Sequence, residues 1–554
     1  MNSLTWFAGQ TVLRTETAAS VRDSVRALCV LKHLGSNLLL KTSMQFDARK
    51  LPARTVLNAD ICIVGAGPAG ITLAREFIGF KSTVLILESG GLNYDKRSQE
   101  LNEGAVIGDP YAGLRQTRHR QVGGTVHLWN TRVNDEIGAK YVPLDACDFE
   151  LSDTGHAQWP FEYSELEPFY RRAQVVCGLG AYAYEGKDWL DEAHPLLPLN
   201  VDQLSTKVYQ CGVGSFFTHI YPQEVVRSGN VSLCHHATIR GLKMRNNGRQ
   251  AIEATITSRS GNQLCARAKI IILAAGAIEN ARLLLLSGDN ASDGPGNRYG
   301  WVGRCFMEHP RDYALTLIPR SPELFQQATF YDLHPARDGT IVVGRIALDS
   351  RIIRNAGLPN ASITLMPRAK NPPGRRLGVV SRFSSYLYRF IGSEPQSGYG
   401  WSSRQNLSQI FDAFQLVINV EQRPNPENRV VLAQRRDRLG MPQVELFWHW
   451  GDEEQANLER LRKVIASALE ASGLGQVEVS TGLRPNPNAH HHAGTTRMHA
   501  DSRSGVVNAD GCVHGTDNLY VTGASTLCRA GFANPTLTIV ALALRLADHL
   551  KQTL

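Results

Sequence analysis

The sequence predicts an α/β protein in which a parallel-sheet strand–helix–strand unit near the start is joined to an antiparallel region in the middle. Three observations carry this expectation. Ile61 to Val64 is a short, continuous apolar run, followed by Gly65, Gly67 and Gly70 and then by Thr83 to Glu88. That order reads as buried strand, glycine turn, helix, strand and acid. Lys269 to Ala277 is a second apolar run ending in small residues, and Ile278 to Leu286 continues it as a helix. Tyr313 to Ile318, Thr340 to Ile346 and Val444 to Trp450 alternate apolar and polar residues, as antiparallel strands with one wet face do.

In the first unit, Gly65 permits the tight turn and Gly67 lets backbone approach a pyrophosphate. Gly70 lets the following helix pack close to the sheet, its N-terminal N–H groups turned to the phosphates. Glu88 ends the second strand where a carboxylate can accept ribose hydroxyls, which predicts an adenine dinucleotide and argues against a 2′-phosphate. A loop-rich stretch follows, and its Gly123-Gly124 pair suggests backbone brought close to a ligand. The spacing after Trp159-Pro160 predicts a helix capped at Ser164. Val231 to Ile239 and Ala254 to Ser258 read as strands, with His235 and His236 at a strand end near the adenine. Glu453 to Ala471 reads as a helix, Asn518 to Ala524 as strand-like, and Pro535 to Leu550 as an amphipathic closing helix. Residues 367–405 are rich in Arg, Pro, Gly and Ser, which predicts a loop or lid. No repeat of fixed period is evident.

Composition sets the outer limits. At 554 residues, two packed domains are expected. The net charge of +8 is modest and the arginines are scattered, without an aromatic-interleaved basic tract, so nucleic acid is not the expected partner. The milder implication is a favourable potential for an anionic cofactor. The ten cysteines form no C-x-x-C pair or zinc-like spacing, which fits reduced thiols in a cytoplasmic setting. No apolar run is long enough to span a bilayer. Residues 1–43 hold Arg, Ser and Thr but few acids, and they lack a signal-like apolar centre. An early translation start, with Met44 as the true beginning, is favoured over a transit peptide.

Several segments together resemble the glucose–methanol–choline (GMC) family of FAD oxidoreductases. They are the glycine motif at 65–70, Val122-Gly-Gly-Thr125, Trp159-Pro160, Leu273 to Arg282 and Val302 to Pro310. Glu421 to Arg429, His491 to Met498 and Gly531 to Thr536 complete the ordered set. The style is similar to the sugar-oxidising branch that includes pyranose oxidase and the flavin sugar dehydrogenases. The resemblance implies FAD held by a Rossmann-like domain of discontinuous segments, residues 57–315 and 481–554, with 110–230 carrying the flavin-attachment loop and substrate-side insertions. Residues 316–480 would form the substrate-binding domain with an antiparallel sheet, and 1–56 an N-terminal extension of uncertain status.

Oxidising an alcohol by hydride transfer requires removal of the hydroxyl proton and stabilisation of alkoxide character. An imidazole near neutral pKa suits the first task and a fixed amide donor the second. The family pattern H-x-x-G-T places the base on His491, and its partner falls on Asn534. His492, one position off that register, is a minor candidate, and Asn534 alone would read as a loop cap before Pro535. A histidine run at 490–492 could also be a solvated or weakly metal-binding tract. No metal is expected, because no acid or cysteine stands at helical or hairpin spacing nearby. Cofactor contacts implied by the resemblance are Gly65, Gly67, Gly70 and Glu88, then Gly123, Gly124, Thr125, His127 and Asn130. Ala237, Gly276, Gly523, Ala524, Asn534, Pro535 and Thr536 follow. Some relatives attach the flavin through a histidine four residues past the second glycine, a place held here by Leu128. His127 sits one residue short, so non-covalent FAD is expected. The implied reaction is oxidation of a CH–OH group of a sugar, polyol or other alcohol by hydride transfer to flavin N5. A dehydrogenase is favoured over an oxidase, and the electron acceptor is open among oxygen, a quinone and a redox protein. A flavin-containing lyase of the same fold and an NAD-binding module without flavin are the alternatives.

Overall fold

The computed structural model describes residues 37–39, 45–150, 157–245, 248–288, 294–370, 400–487 and 489–554. The expectations for 1–43 and for a loop over 367–405 fall largely outside these residues. Within the first, Asn37–Leu39 pairs in parallel with the strand Val56–Val64.

Among the described residues, a nine-stranded sheet forms the first layer. Its parallel part sets Leu519–Val521, Gln263–Leu273, Val56–Val64, Val84–Leu87, Val231–His235 and Gln45–Asp47 side by side. The apolar runs read from sequence are its central strands, and Ile61, Ile63, Leu85, Ile86, Ile271 and Ile272 are fully buried. Strands covered on both faces need no polar alternation, which is why they appeared as continuous runs. Three helices pack together on this layer, Pro68–Glu76, Tyr163–Val176 and Thr536–Thr553. The last buries Leu537, Val540, Ala541 and Leu544, one helical face. Ion pairs from Arg172 to Asp548 and from Lys551 to Glu76 fasten the three at the surface.

The strand expected from Val231 to Ile239 is broken in two. His236 has φ +55°, a left-handed conformation uncommon for a residue with a side chain. Beyond it Ala237–Met244 turns away to pair antiparallel with Ala251–Ser258. The helix after Trp159 starts at Tyr163, with Glu162 rather than Ser164 in the capping position.

A second nine-stranded sheet runs Gly475–Val479, Arg311–Pro319, Phe411–Val420, Ala361–Ala369, Ile341–Leu348, Leu204–Val213, Glu136–Tyr141 and Thr131–Val133, antiparallel throughout, with His334–Pro335 at its side. It therefore draws strands from 131–141 and 204–213 as well as from the middle of the chain. The strand expected at 444–450 belongs elsewhere. Pro442–Trp448 pairs antiparallel with Arg429–Arg436 and parallel with Gly104–Gly108 in a separate three-stranded sheet. Alternation reports which face is wet, and says nothing about a neighbour's direction.

Candidate active site

Four parallel strands of the first sheet end beside one cavity of ≈ 320 Å³. Val64 leads to Gly65 and Gly67, Leu87 to Glu88, Leu273 to Gly276, and Val521 to Gly523 and Ala524, and all of these line it. Ligands bind outside the carboxyl ends of strands in open α/β sheets because loops there are free to diverge and helix N-termini converge. The lining also fits a dinucleotide in detail. A Cβ on Gly65 would stand 2.5 Å from the Ala274 carbonyl oxygen, and one on Gly70 would stand 2.0 Å from the Gly65 carbonyl oxygen. Those two glycines are required by packing. At Gly67, Gly276 and Gly523 a Cβ would meet no atom nearer than 3.8 Å, so backbone lies bare toward the cavity. Glu88 accepts the N–H of Gly90 at 2.7 Å on Oε1 and of Ala66 at 3.0 Å on Oε2, which fixes the carboxylate. Each oxygen keeps a second lone pair for a ribose hydroxyl.

Positive charge is built into the same wall. Arg118 and Arg120 reach Glu279 at 2.5 and 3.1 Å, and Arg282 bridges Glu279 at 3.5 Å and Asp437 at 2.8 Å. On the lining itself two guanidiniums, Arg118 and Arg120, against the one carboxylate of Glu279 leave a cationic excess that favours an anionic ligand. The sequence showed Arg115 to Arg120 only as a short cluster. The partner that makes it a site, Glu279, is more than 150 residues away.

The substrate end is shaped by two segments laced together. Met307 and Ala493 exchange both backbone hydrogen bonds at 3.0 Å, and Arg311 and Asn486 do so at 2.7 and 2.8 Å. Between these clamps Glu308 and His309 face His490, His491 and His492. Gly494 must be glycine, since a Cβ there would stand 2.2 Å from the Cys305 carbonyl oxygen, and its φ is +85°. Thr495 Oγ1 donates to the Ala277 carbonyl at 2.5 Å, tying the segment to the head of the helix Ala277–Leu285. The G-T of H-x-x-G-T thus anchors the histidines against the first sheet.

His491 lines the cavity and its Nδ1 lies 2.9 Å from Nδ1 of His309. His309 Nε2 lies 3.2 Å from the Ala530 carbonyl oxygen, which can only accept, so Nε2 carries the proton. Nδ1 of His309 is then the acceptor and Nδ1–H of His491 the donor. The basic lone pair of His491 falls on Nε2. Burial lowers the His491 pKa well below that of an ordinary histidine, and His309, Arg311 and the flanking histidines add to the effect. The imidazole is neutral near pH 7 and ready to accept a proton.

Of the residues the sequence singled out, Gly65, Gly67, Glu88, Gly124, Thr125, Asn130, Ala237, Gly276, Gly523, Ala524, Asn534, Pro535, Thr536, His491 and His492 line this one cavity. Gly70, Gly123 and His127 do not. Gly70 and Gly123 act behind the wall, Gly123 donating its N–H to Ala66 at 2.8 Å. His127 Nε2 bonds the Val122 carbonyl at 2.8 Å. Arg304 binds the Gly300 and Pro426 carbonyls and Glu427 and is a junction residue, whereas His309, five residues later, touches the candidate base. The acid that local spacing did not supply is Glu308, whose carboxylate lies within 4.8 Å of ring nitrogens of His490 and His492. Lys140 and Arg311, both lining the cavity, were also not foreseen.

Residues 424–543 match the GMC oxidoreductase family. Over 89% of this chain and 97% of its own length, the fructose dehydrogenase large subunit of Gluconobacter japonicus is 23% identical. The 2-methyl-1,2-propanediol dehydrogenase of Mycolicibacterium austroafricanum is 25% identical over 89% of this chain and 95% of its own. The crystal structure of pyridoxine 4-oxidase from Mesorbium loti superposes with a TM-score of 0.54 at 17% identity, covering 89% of this chain and 99% of that one. A parallel dinucleotide layer and an antiparallel substrate-side sheet are the common fold. An ordered motif set, a cavity where the strands end and these likenesses agree in making the chain similar to the GMC oxidoreductases, with the family match itself confined to residues 424–543.

Proposed function

We propose that the protein is an FAD-dependent oxidoreductase that oxidises a CH–OH group of a sugar, polyol or related alcohol. The observation that carries this reading is the His491–His309 pair, which leaves an uncharged imidazole with its free lone pair on a ring lining the cavity. FAD, held by the bare glycines, Glu88 and the Arg118–Arg120 wall, would supply the hydride acceptor. His491 Nε2 takes the hydroxyl proton as the carbinol C–H leaves with its electron pair. Asn534 stands on the same cavity just ahead of the helix Thr536–Thr553 and offers an amide to the substrate oxygen. A fixed donor of this kind stabilises developing alkoxide without reorganising.

A sugar-type substrate and a dehydrogenase rather than an oxidase are part of the proposal; of four relatives that align over 88–89% of the chain, two are named dehydrogenases, one of them a fructose dehydrogenase, and two are named oxidases. Non-covalent FAD is supported by His127, whose Nε2 is engaged with the Val122 carbonyl and which does not line the cavity. A reducing, cytoplasmic setting is supported by the unbridged cysteines of the described residues.

Anaerobic mixing of the yellow protein with a panel of sugars, polyols and simple alcohols tests the reading. His491→Ala should keep FAD and slow its reduction by roughly two to four orders of magnitude, the range for a removed acid–base group. Asn534→Ala should slow it less, and His492→Ala less again. Bound flavin bleached by no alcohol, or His492→Ala crippled while His491→Ala is normal, refutes the assignment.

A further inference from the structure

Proton removal by His491 gives no task to the nearest buried acid. Glu308 is 0% exposed. Its Oε1 accepts the backbone N–H of His491 at 2.6 Å and of His309 at 3.0 Å. Its Oε2 accepts the Tyr111 hydroxyl at 2.6 Å and lies 3.8 Å from His492 Nε2. The Glu308 N–H is itself held by Gln422 Oε1 at 3.0 Å, and Gln422 also receives the Trp448 indole N–H at 3.2 Å. The two residues whose backbones this carboxyl grips are the two whose rings meet at Nδ1.

We propose that Glu308 is the positioning residue of the base: it holds His491 against His309 and supplies the negative charge that stabilises the imidazolium formed on proton transfer. The inference rests on the alcohol-oxidising reading given above. In the step itself the substrate O–H bond breaks, the N–H bond forms on His491 Nε2, and the C–H electron pair leaves as hydride to FAD. Glu308 gains and loses nothing, and remains an anion bound to the backbone N–H of the residue whose ring becomes a cation. In a buried site, where charges are poorly screened, that pairing acts on the transition state more than on the neutral ground state.

The surroundings define when the charge is present. Tyr111 from the loop before the glycine pair, His309 and Arg311 from its own segment, and His490, His491 and His492 from the facing segment surround it. Burial outweighs the hydrogen bonds from Tyr111, His309 and His491 and the pull of Arg311, and pushes its pKa up to about 7. The base titrates far lower, so an acid limb near neutrality belongs to the carboxyl.

Glu308→Gln is the test, because the amide oxygen can still accept both backbone N–H groups and the NH₂ can still meet the Tyr111 oxygen. Only the charge is lost. In wild type, the limiting rate of anaerobic flavin reduction should rise through about pH 7. In Glu308→Gln it should be roughly ten- to a hundredfold lower at pH 8 and flat through that range, with alcohol affinity and FAD content held. Tyr111→Phe removes a donor to the carboxylate and should carry the limb to higher pH. A limb that survives in Glu308→Gln at wild-type rate overturns the inference and leaves the alcohol reading standing. So does a rate loss with an unchanged pH profile, which would mean a scaffold role only. A wild-type flavin that no alcohol reduces overturns both.

Discussion

Replacing His309 by Leu should slow flavin reduction by roughly 5- to 30-fold, well short of the loss from removing the base. The perturbation takes both ring nitrogens from a fully buried site while filling most of the volume. In the resting enzyme the bond from His491 Nδ1–H to His309 Nδ1, 2.9 Å long, joins two neutral rings and is worth about 1 kcal/mol net. Once His491 carries the substrate proton the same bond is charge-assisted, at least twice as strong, and worth about 2–3 kcal/mol. Only the difference, about 1–2 kcal/mol, enters the rate, and each 1.4 kcal/mol is a factor of ten. Loss of a fixed tautomer acts in the same direction, since Nε2 must stay unprotonated to accept. Stopped-flow reduction by a substrate alcohol without oxygen reads this directly, with FAD content and denaturant midpoint measured beside it. The Ala530 carbonyl loses its partner as well, so some loss of stability accompanies the change. Reduction within twofold of wild type would show that His309 does not hold the base. Reduction as slow as in His491→Ala would show that His309 is itself the proton acceptor.

Gly70→Ala should fail to retain FAD on purification, because its Cβ would lie 2.0 Å from the Gly65 carbonyl oxygen and force the glycine turn open. A yellow Gly70→Ala protein with full FAD would refute that. Acid or heat should release FAD from the wild-type protein, and His127→Ala should behave alike in this respect, with flavin remaining on the denatured polypeptide as the contrary result. Glu308→Gln should become progressively more stable than wild type as pH rises from about 5 to about 8. Below the ordinary value of 4.5 the carboxyl is protonated in both states, and between there and about 7 the unfolded chain ionises first, favouring unfolding of the wild type. At 1.36 kcal/mol per pKa unit the gap reaches roughly 3 kcal/mol, measurable as a pH-dependent separation of urea midpoints.

What the sequence disclosed follows the range of the interactions involved. The strand, glycine turn and helix at 61–76 are specified by neighbours, and both required glycines show close contacts within one supersecondary unit or across one strand pair. The closing helix was legible from its own periodicity, ending a few residues beyond expectation. The antiparallel layer was legible in type but not in membership. Thr131–Val133 and Glu136–Tyr141 lie in a loop-rich stretch, where they pair with each other as a hairpin that joins the sheet through the pairing of Glu136–Tyr141 with Leu204–Val213. His236 broke a plausible strand because the chain leaves the parallel strand beside Val84–Leu87 there and starts another strand of the same sheet that pairs with Ala251–Ser258, a tertiary event with no local marker. The charged wall and the base's support share one cause of concealment: Arg118 meets Glu279 across 161 residues and His309 meets His491 across 182. Motif order could place His491 and Asn534 because the family pattern already encodes such contacts. It had no way to distinguish Arg304, which braces a junction, from His309 five residues later.

Glu308 shows why burial alone is a poor guide to purpose. A carboxyl with no exposed surface destabilises the fold whenever it is ionised, and a glutamine of the same shape would satisfy the same amides without that cost. Three other buried acids are matched by cations, Glu421 by a two-pronged contact with Arg529, Asp312 by Arg462 and Asp437 by Arg282, whereas Asp332 is met by backbone amides and a hydroxyl. Glu308 has instead a phenol, two backbone amides and imidazoles that burial keeps uncharged. Beyond the pull of Arg311, a cation beside it is formed only when His491 takes a proton. A charge that weakens the resting protein and is matched during one chemical step is accounted for by that step. This is why the glutamine variant is expected to be the more stable protein at alkaline pH and the slower enzyme at the same pH, two opposite signs that no purely structural role for the residue would produce together.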